Sequence, residues 1–499
     1  MFSIRKVRTG SGSIAIQVVQ YQGHKSKIIK HIGSSKDPEE ISVLIQKSKE
    51  WIEQETRQTS LFVEQQQKVL HVDRGECIGV THRFARQFLL CCINECGLSE
   101  LNPLLIDLAI MRLIEPASKR RTVELLWHYF GISYSQRIYR NIPKLIKQQS
   151  VVEQYAYKIA MEKFKEPFYF VLYDVTTLYF ETFQSDELRI PGFSKDNKSQ
   201  QPQIVVGLLV TQSGFPLVYE VFPGNTFEGK TMLPIVENFI KQHKQVRPVV
   251  VADAAMLSEE RLAELRTKNI SYIVGARLAN VNLDLVKQIH AALENKNGAD
   301  ARFPSLHGDL VCDFSIKRYK KEGHDLNKQI KKAETLVAEQ STGKGVTFVK
   351  KISKGKVELN KSLIEKRKLL LGIKGYCTDI SEEKLSNEKV IENYHNLWRI
   401  EQSFRMSKND LETRPIFHRK QDAIRSHILI CFVALMIQKY LELTTKLSLR
   451  DIRFLIWNIT ETHIQDTLTK ETFMFRSPAK ELMGSPLAKW VKKWKLIPH

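Results

Sequence analysis

The stretch that decides the fold is FYFVLYDVTTLYF, residues 168–180, an apolar run interrupted by a single acid, Asp174. Aromatic and β-branched residues favour strands. A carboxylate within such a run is costly to bury unless something binds it. The pattern therefore predicts a buried strand that ends at Asp174, and it makes Asp174 a candidate functional residue.

The segments that follow predict a mixed sheet. QIVVGLLVT (203–211) and PLVYEVF (216–222) indicate two further strands, joined by a turn at Ser213-Gly214. Helix and strand then alternate through TMLPIVENFIKQH, PVVVADAAM, SEERLAELRTKN and SYIVGARL. Three adjacent strands followed by this alternation predict an α/β fold with a mixed sheet covered by helices.

A second acid, Asp253, ends the valine-rich run PVVVAD (248–253). Two aspartates at strand ends of one sheet can converge on a divalent cation, and their oxygen ligands suit Mg²⁺. The alternative for each aspartate is a cap on the following turn or helix. The pair, taken with the basic character of the chain, favours a metal site.

A third carboxylate, Glu401, lies in a helix predicted from Lys389 to about Leu411. At 100° per residue, four residues share one face of that helix: Tyr394, Glu401, Arg405 and Lys408. A carboxylate followed by two cations could hold a metal and clamp phosphate beside it. The alternative is an ordinary ion pair between Glu401 and Arg405.

Charge points to a polyanionic partner. Lysine and arginine number 76 against 55 acids, a formal net charge of +21 on 499 residues. Between Lys317 and Lys368 alone there are 16 basic and 6 acidic residues. Such excess suits a surface that follows phosphates, and the alternatives are a solvated charged hairpin here and a merely basic surface elsewhere.

The remaining composition predicts a cytoplasmic protein without a membrane span. The N-terminus lacks an apolar signal core, and the longest apolar run, Ile428–Ile437, is too short to cross a bilayer. Seven scattered cysteines form no disulfide framework. Cys91, Cys92 and Cys96 cluster in an apolar helical pattern, which favours core residues over a zinc site.

The chain divides into five predicted regions. They are an N-terminal β-hairpin and helix at 1–70, a helical region at 71–165, a catalytic core at 166–280 and 371–417, a β-rich basic insertion at 281–370 and a helical C-terminal region at 418–499. In the second region, two helical patterns meet at Glu115-Pro116, with Ser118 as the predicted N-cap of the second. This pair is compatible with a helix-turn-helix that binds DNA ends, and equally with plain bundle helices.

Several motifs, taken together and in order, give the chain a family resemblance. They are YDVTTLYF around Asp174, GFSKDNKSQQPQIVVGLLV at 192–210, FPGNTFEGKT at 222–231, VVADAAMLS around Asp253 and YHNLWRIEQSFRMSKNDLETRPIFH at 394–418. With these motifs the chain resembles the DDE transposases of bacterial insertion sequences, in the superfamily with a β-rich insertion before the final glutamate. The motifs span the whole predicted core.

The resemblance implies a ribonuclease-H-like fold and a DNA-cutting and DNA-joining enzyme. It implies that Asp174, Asp253 and Glu401 are the catalytic, metal-binding triad, holding two Mg²⁺ ions that Mn²⁺ can replace. It also implies double-stranded DNA partners (element ends and target), a homodimer on paired ends and a place on the bacterial nucleoid. Tyr394 and Lys408 match the family's third motif, whereas Leu397 stands where that motif has arginine.

Candidate DNA contacts follow from the same motifs. Arg399 or Arg405 is the replacement for the missing arginine, and Tyr394 and Lys408 would hold terminal phosphates. Lys195 and Lys198 could reach DNA from a loop, or serve only as surface lysines. The insertion lacks tryptophan, so the candidates for stacking on a DNA base are Phe303, Phe314, Tyr319 and Phe348.

Alternatives to this interpretation remain in the sequence. Glu181, Glu220 and Glu412 are other acids near the core, without the motif context of the chosen triad. A non-catalytic DNA-binding regulator could keep the same fold. A structure-specific nuclease could use the same metal site without joining a 3′-OH to target DNA.

Overall fold

The computed structural model describes residues 2–23, 25–56, 72–135, 138–165, 169–193, 200–244, 246–254, 258–305, 308–339, 347–352 and 357–496. Lys195 and Lys198, the two predicted loop contacts to DNA, lie outside the described residues. The chain forms two compact units. The smaller unit comprises Met1–Thr81 and Thr460–Ser477, and the larger unit comprises His82–Ile459 and Pro478–His499.

The strands and helices are numbered separately along the chain. The strands are β1 Phe2–Arg8, β2 Ile14–Gln22, β3 Lys25–Ser35, β4 Gly75–Thr81, β5 Phe170–Tyr179, β6 Gln203–Thr211, β7 Pro216–Pro223, β8 Val249–Ala252, β9 Tyr272–Ala276, β10 Asp300–Ser305, β11 Gly308–Phe314, β12 Val349–Lys351, β13 Val357–Leu359, β14 Ile373–Thr378, β15 Glu461–Asp466 and β16 Thr472–Arg476. The α-helices are α1 Pro38–Thr56, α2 Arg83–Glu95, α3 Pro103–Ile114, α4 Lys119–Phe130, α5 Ile138–Asn141, α6 Gln149–Lys163, α7 Met232–Gln242, α8 Glu259–Thr267, α9 Leu283–Leu293, α10 Ile316–Ala338, α11 Lys361–Leu369, α12 Asn387–His395, α13 Trp398–Arg405, α14 Gln421–Thr445, α15 Leu449–Trp457, α16 Lys480–Met483 and α17 Ala488–Lys493.

The smaller unit contains two antiparallel sheets. In one, β2 and β3 form the predicted hairpin and β1 adds an outer strand. In the other, β15 lies between β16 and β4. The strands β15 and β16 interrupt the C-terminal region that was predicted to be mostly helical. Strand β4, which pairs with β15, lies far away in the chain, so local patterning does not reveal this pairing.

Helices α2 to α6 precede the central sheet in the larger unit. Helix α3 ends at Ile114, and the Ser118 side chain accepts a hydrogen bond from the Arg121 amide at the start of α4. The predicted break and N-cap are therefore confirmed. Cys92 and Cys96 are buried in the core, as expected of structural cysteines.

The core of the larger unit is a mixed sheet. In the described part of the chain it has eight strands in the order β10-β11-β14-β9-β8-β5-β6-β7. Strand β5 pairs antiparallel with β6 and parallel with β8, β6 pairs antiparallel with β7, and β8 pairs parallel with β9. Counted from β5 to β9 along the chain, these strands lie in the order 3-2-1-4-5. This is the ribonuclease-H-like arrangement, so the predicted fold class is confirmed.

The insertion between β9 and β14 is more helical than predicted. Strands β10 and β11 extend the central sheet through β14, while the short β12 and β13 pair only with each other. Most of the described residues of the insertion belong to α9, α10 and α11. The long, charged α10 buries only a narrow apolar stripe, which includes Leu326 and Ala333. The rest of its surface can therefore carry basic residues while the segment remains helical.

Helix α14 is the longest apolar element. It is long and apolar enough to cross a membrane by length and composition, and 83% of its most apolar window is buried inside the protein. It contacts α3 and β7. The run Ile428–Ile437 thus lies in a buried helix of the core.

Candidate active site

Asp174 lies in the middle of β5, not at its end. Strand β5 continues to Tyr179 because Val175–Tyr179 pair with β6 along their full length. On its other side, β5 pairs with β8 only from Phe170 to Leu172. Asp174 therefore stands just beyond the point where the parallel ladder ends. The prediction of a strand terminus was wrong for β5, but the partner strand does end beside this acid.

Asp253 directly follows Ala252, the last residue of β8. Its side chain is exposed. Oδ1 accepts hydrogen bonds from the Ala254 amide at 2.7 Å and from the Tyr394 hydroxyl at 3.0 Å. Asp174 Oδ1 likewise accepts from the Val175 amide at 2.7 Å. The second oxygen of Asp253 makes no hydrogen bond to any described residue, so Asp253 keeps an acceptor for a ligand.

Glu401 is carried by a helix that is shorter than predicted. The expected helix from Lys389 to Leu411 is broken: α12 ends at His395, α13 begins at Trp398, and a π-helical turn occupies Met406–Asp410. Ile400 and Phe404 of α13 pack into the core. Glu401 lies beside this apolar stripe and is exposed.

The three predicted acids line one cleft of about 490 Å³. They reach it from three separate elements, the middle of β5, the end of β8 and the first turn of α13. The complete lining is Tyr173, Asp174, Asp253, Lys374, Tyr394, His395, Leu397, Trp398, Ile400 and Glu401. The fold thus brings together residues that are far apart in sequence.

Tyr394 links the helices to the sheet at this cleft. Burial and the neighbouring Asp253 raise the pKa of its hydroxyl, so the hydroxyl stays protonated and donates to Asp253. Gly275 on β9 makes this approach possible. A Cβ atom at position 275 would lie 2.5 Å from the Tyr394 oxygen, closer than any ordinary contact.

Lys374 of β14 is the only lysine or arginine lining the cleft among the described residues. Its ammonium lies 4.5 Å from the centre of the Tyr394 ring. Burial lowers the pKa of Lys374, Arg318 lowers it further, and the carboxylates of Asp313, Asp253 and Glu401 oppose this. The cleft therefore pairs its acids with one cation held against an aromatic ring.

A network of polar side chains lies next to Lys374 and His395. Arg318 forms an ion pair with Asp313 at 2.7 Å, and the Tyr376 hydroxyl donates to Asp313 at 2.8 Å. The same hydroxyl lies 3.2 Å from His395 Nε2. Burial lowers the pKa of His395. This network ties the insertion helix α10 to the floor of the cleft.

Only one of the described residues that were predicted to contact DNA lies in the cleft. Tyr394 lines the cleft, whereas Arg399, Arg405 and Lys408 do not. The Arg399 guanidinium lies 5.1 Å from the Trp398 ring, and Lys408 lines a small apolar cavity between β5 and α14. The break between α12 and α13 separates Tyr394 from the helix that carries Glu401, and the wider π-helical turn changes the position of Lys408 relative to Glu401. Arg405 remains one turn after Glu401 on α13.

The structure also separates the alternative residues. Glu181, Glu220 and Glu412 do not line the cleft, and Glu220 forms an ion pair with Arg425 at 3.2 Å. Phe314 and Phe348, two of the proposed stacking residues, are buried in the insertion and cannot reach a base. Trp398, which is 52% exposed and lines the cleft, was not predicted.

The acids suit a divalent cation in kind. All three offer carboxylate oxygens, the ligands that Mg²⁺ prefers, in a cleft with room for ions and their water. In the described part of the chain, no three His, Cys, Asp or Glu side chains lie close enough together to hold a metal ion. The donors thus share a cleft but are not drawn into a preformed cluster, as expected of three like charges.

The fold and cleft define an enzyme with a ribonuclease-H-like core. A comparison with family models matches residues 167–437 to the transposase DDE domain, which is more than half of the chain. The chain therefore belongs to the DDE transposase family, whose members are phosphoryl-transfer enzymes that act on DNA. The match includes all three acids, α12, α13 and most of α14.

Two solved transposase structures are similar to the chain at low sequence identity. The chain is similar to a structure of the piggyBac transposase synaptic complex with hairpin DNA, with 10% identity, a TM-score of 0.36 and coverage of 84% of this chain and 76% of that one. It is also similar to the Mos1 transposase paired-end complex with left transposon end, with 12% identity, a TM-score of 0.16 and coverage of 46% and 66%. A search of curated protein sequences finds no significant match. The order of the strands in the central sheet identifies the fold.

Proposed function

We propose that this protein is the transposase of a bacterial insertion sequence, which cleaves DNA at the element ends and joins them to target DNA. The observation that carries the proposal is the single cleft in which Asp174, Asp253 and Glu401 meet. We further propose that the enzyme works on the nucleoid as a homodimer on paired ends.

Asp174, Asp253 and Glu401 would hold two Mg²⁺ ions, or Mn²⁺ in their place. Bound there, the ions would supply an activated water or 3′-OH and neutralise charge on the leaving oxygen. Water and a DNA 3′-OH are equivalent nucleophiles, so one site can serve first cleavage and then joining. No covalent intermediate with a side chain is needed.

The chain's own residues then position the DNA. Tyr394 fixes Asp253 through its hydroxyl, and Lys374 offers the phosphodiester a positive charge within the cleft. Leu397 and Ile400 supply an apolar wall that limits water. The exposed indole of Trp398 is placed to stack on a base beside the scissile phosphate.

The test is cleavage of a plasmid that carries the gene with its natural flanking DNA. Asp174→Asn, Asp253→Asn and Glu401→Gln should each lower the rate by about a thousandfold or more, because each removes a charge that positions the reaction. Glu392→Gln and Asp284→Asn are matched controls. Both residues are exposed and outside the cleft, so these variants should cleave normally.

The outcomes separate the alternatives. Full cleavage by any one of the three variants removes that residue from the proposed triad. Equal cutting of plasmids with and without the flanking DNA indicates a structure-specific nuclease instead. Binding without cutting in Mg²⁺ or Mn²⁺ indicates a non-catalytic regulator.

A further inference from the structure

A second pocket in the larger unit is basic where the cleft is acidic. It measures about 220 Å³ and lies between the N-terminus of α4 and the segment that follows the π-helical turn. The lining includes Arg112, Lys119, Arg120 and Arg414, with Glu412 as its one acid among the described residues. We call it the Lys119 pocket.

Lys119 is the unusual residue in this pocket. It is only 6% exposed. Its ammonium forms no hydrogen bond or ion pair with the residues that the structure describes, and its strongest charged neighbour is another cation, Arg112. A buried ammonium without a counter-charge is costly. Burial, with Arg112, lowers the pKa of Lys119 to about 7.

The groups around Lys119 do not supply the missing negative charge. Glu412 lines the pocket, but its side chain is exposed and forms no ion pair with Lys119. Arg112 is 7% exposed, and its guanidinium donates hydrogen bonds to the backbone carbonyls of Leu411 and Glu412, at 3.3 Å and 3.2 Å. His427 is buried, with Nε2 2.9 Å from the Thr413 carbonyl. His418 lines the pocket, and burial together with Lys119 and Arg112 lowers its pKa to about 4. The first turn of α4 adds backbone amides and the positive end of a helix dipole.

We propose that the Lys119 pocket binds a phosphate group, and that this phosphate belongs to the DNA backbone. An anion there would pair with Lys119, meet the amino end of α4 and face the Arg120 and Arg414 guanidiniums at the rim. At about 30 Å³ per water molecule, the pocket has room for a phosphate with some of its water. The assignment to DNA rests on the proposed function, whereas phosphate binding does not.

The position of the pocket suits the same DNA that enters the cleft. The Arg414 guanidinium lies 5.5 Å from the Tyr179 ring, and Tyr179 is the last residue of β5. Tyr179 lies five residues beyond Asp174 on that strand, about 17 Å at the usual rise. A length of about 17 Å corresponds to about five base pairs along a duplex axis, at about 3.4 Å each, so one DNA duplex is long enough to reach both the cleft and the pocket. Helix α4 would then contact the backbone rather than read bases.

The first experiment is thermal unfolding of the full chain with inorganic phosphate, against chloride at equal ionic strength. Phosphate should raise the unfolding temperature of the wild type by a few degrees, since it binds the folded state. Lys119→Met should unfold at a higher temperature than the wild type without phosphate, because it removes an unpaired buried charge, and should lose the response to phosphate. Lys241→Met, at an exposed position of α7, should keep that response.

The second experiment measures DNA affinity against salt concentration. One lost phosphate contact lowers the slope of log affinity against log salt by about 0.9, and we expect this for Lys119→Met. Arg120→Met provides a second variant that cannot perturb folding much, because the Arg120 side chain is 87% exposed. It should weaken both responses without abolishing them.

Each result has one meaning. No phosphate effect on the wild type overturns the site. A phosphate effect with an unchanged DNA slope in Lys119→Met overturns DNA as the source and assigns the pocket to a free phosphate compound. If phosphate stabilises the wild type but the wild type does not cleave DNA, the result supports the phosphate site and contradicts the proposed function.

Discussion

The acidic cleft and the Lys119 pocket belong to the same compact unit but hold their charges in opposite ways. In the cleft, Asp253 and Glu401 are exposed at the ends of elements, and Asp253 is held by Tyr394. In the pocket, Lys119 is buried and lacks a counter-charge within the described chain. Exposed carboxylates are solvated by water and need no metal ion for the protein to be stable. A buried cation without a counter-charge is costly, so a bound anion stabilises the folded protein. Substitutions in the two places should therefore differ in kind.

The sharpest contrast is between two lysines. Lys374→Met should lower the cleavage rate by about a hundredfold, as expected when a charge facing the reacting phosphate is removed, with little change in DNA affinity. Lys119→Met should weaken DNA binding less than tenfold and leave the rate on bound DNA unchanged. Single-turnover cleavage with saturating protein separates the two effects.

Each lysine has an outcome that breaks the comparison. A normal single-turnover rate for Lys374→Met would show that the cleft does not need its cation. A large rate loss for Lys119→Met would show that the pocket takes part in the reaction itself.

The pH dependence of stability probes the pocket alone. The pKa of Lys119 is lowered to about 7 in the folded protein from 10.5. Between these values the unfolded chain binds more protons, so stability rises with pH. From pH 7 to 9, this group should add about 2 kcal/mol to the unfolding free energy of the wild type.

This rise in unfolding free energy between about pH 7 and 9 should be absent in Lys119→Met. It should be smaller in the wild type when phosphate is present. The difference between wild type and variant isolates Lys119 from the other groups that face it, Arg112, Arg120, Arg414, Glu412, His418, His427 and Cys431. Parallel stability curves for the two proteins would show that Lys119 keeps an ordinary pKa and that its burial carries no cost.

Gly275→Ala tests how closely the cleft is packed. The added methyl group would meet the Tyr394 hydroxyl at 2.5 Å and the Ala254 side chain at 3.1 Å. Overpacking of this kind costs about 1–3 kcal/mol, and we expect cleavage to fall along with stability. Gly79→Ala is the matched control, because nothing lies within 4 Å of a Cβ there. Equal behaviour of the two variants would contradict the close approach of Tyr394.

Tyr394→Phe should have the smallest effect. It removes one hydrogen bond to Asp253 while keeping the ring that faces Lys374. The expected loss of about 1–1.5 kcal/mol corresponds to about a tenfold slower reaction, measured in the same single-turnover assay. A loss as large as that of Asp253→Asn would mean that the hydroxyl contacts the substrate directly.

Features that depend on residues close together in the sequence could be predicted. Features that depend on contacts between distant segments could not. The position of Asp253 at the end of a strand could be predicted because a valine-rich run ends directly before it. The choice of Glu401 depended on motif spacing, and the roles of both acids stay predictions. The length of β5 was misjudged because pairing with β6 continues past Asp174. Lys374 was missed because one lysine in the apolar strand IKGYCT gives no sign of the cleft it faces.

The Lys119 pocket could not have been predicted. Its walls come mainly from two segments that are far apart in the chain, Arg112–Arg120 and Glu412–His418, and Tyr139 and His427 complete the lining. The N-cap at Ser118 was visible, but the burial of Lys119 depends on how α4 packs against the segment after the π-helical turn. Local patterns carry no information on such a contact.

The most direct test of the central claim is joining rather than cutting. A DNA end with a free 3′-OH, taken from the flank of the gene, should be inserted into a supercoiled target plasmid by the wild type in Mg²⁺. Asp174→Asn should abolish the product, whereas Glu392→Gln should form it normally. Joining by Asp174→Asn at the wild-type rate would contradict the assignment of this cleft as the active site of a transposase.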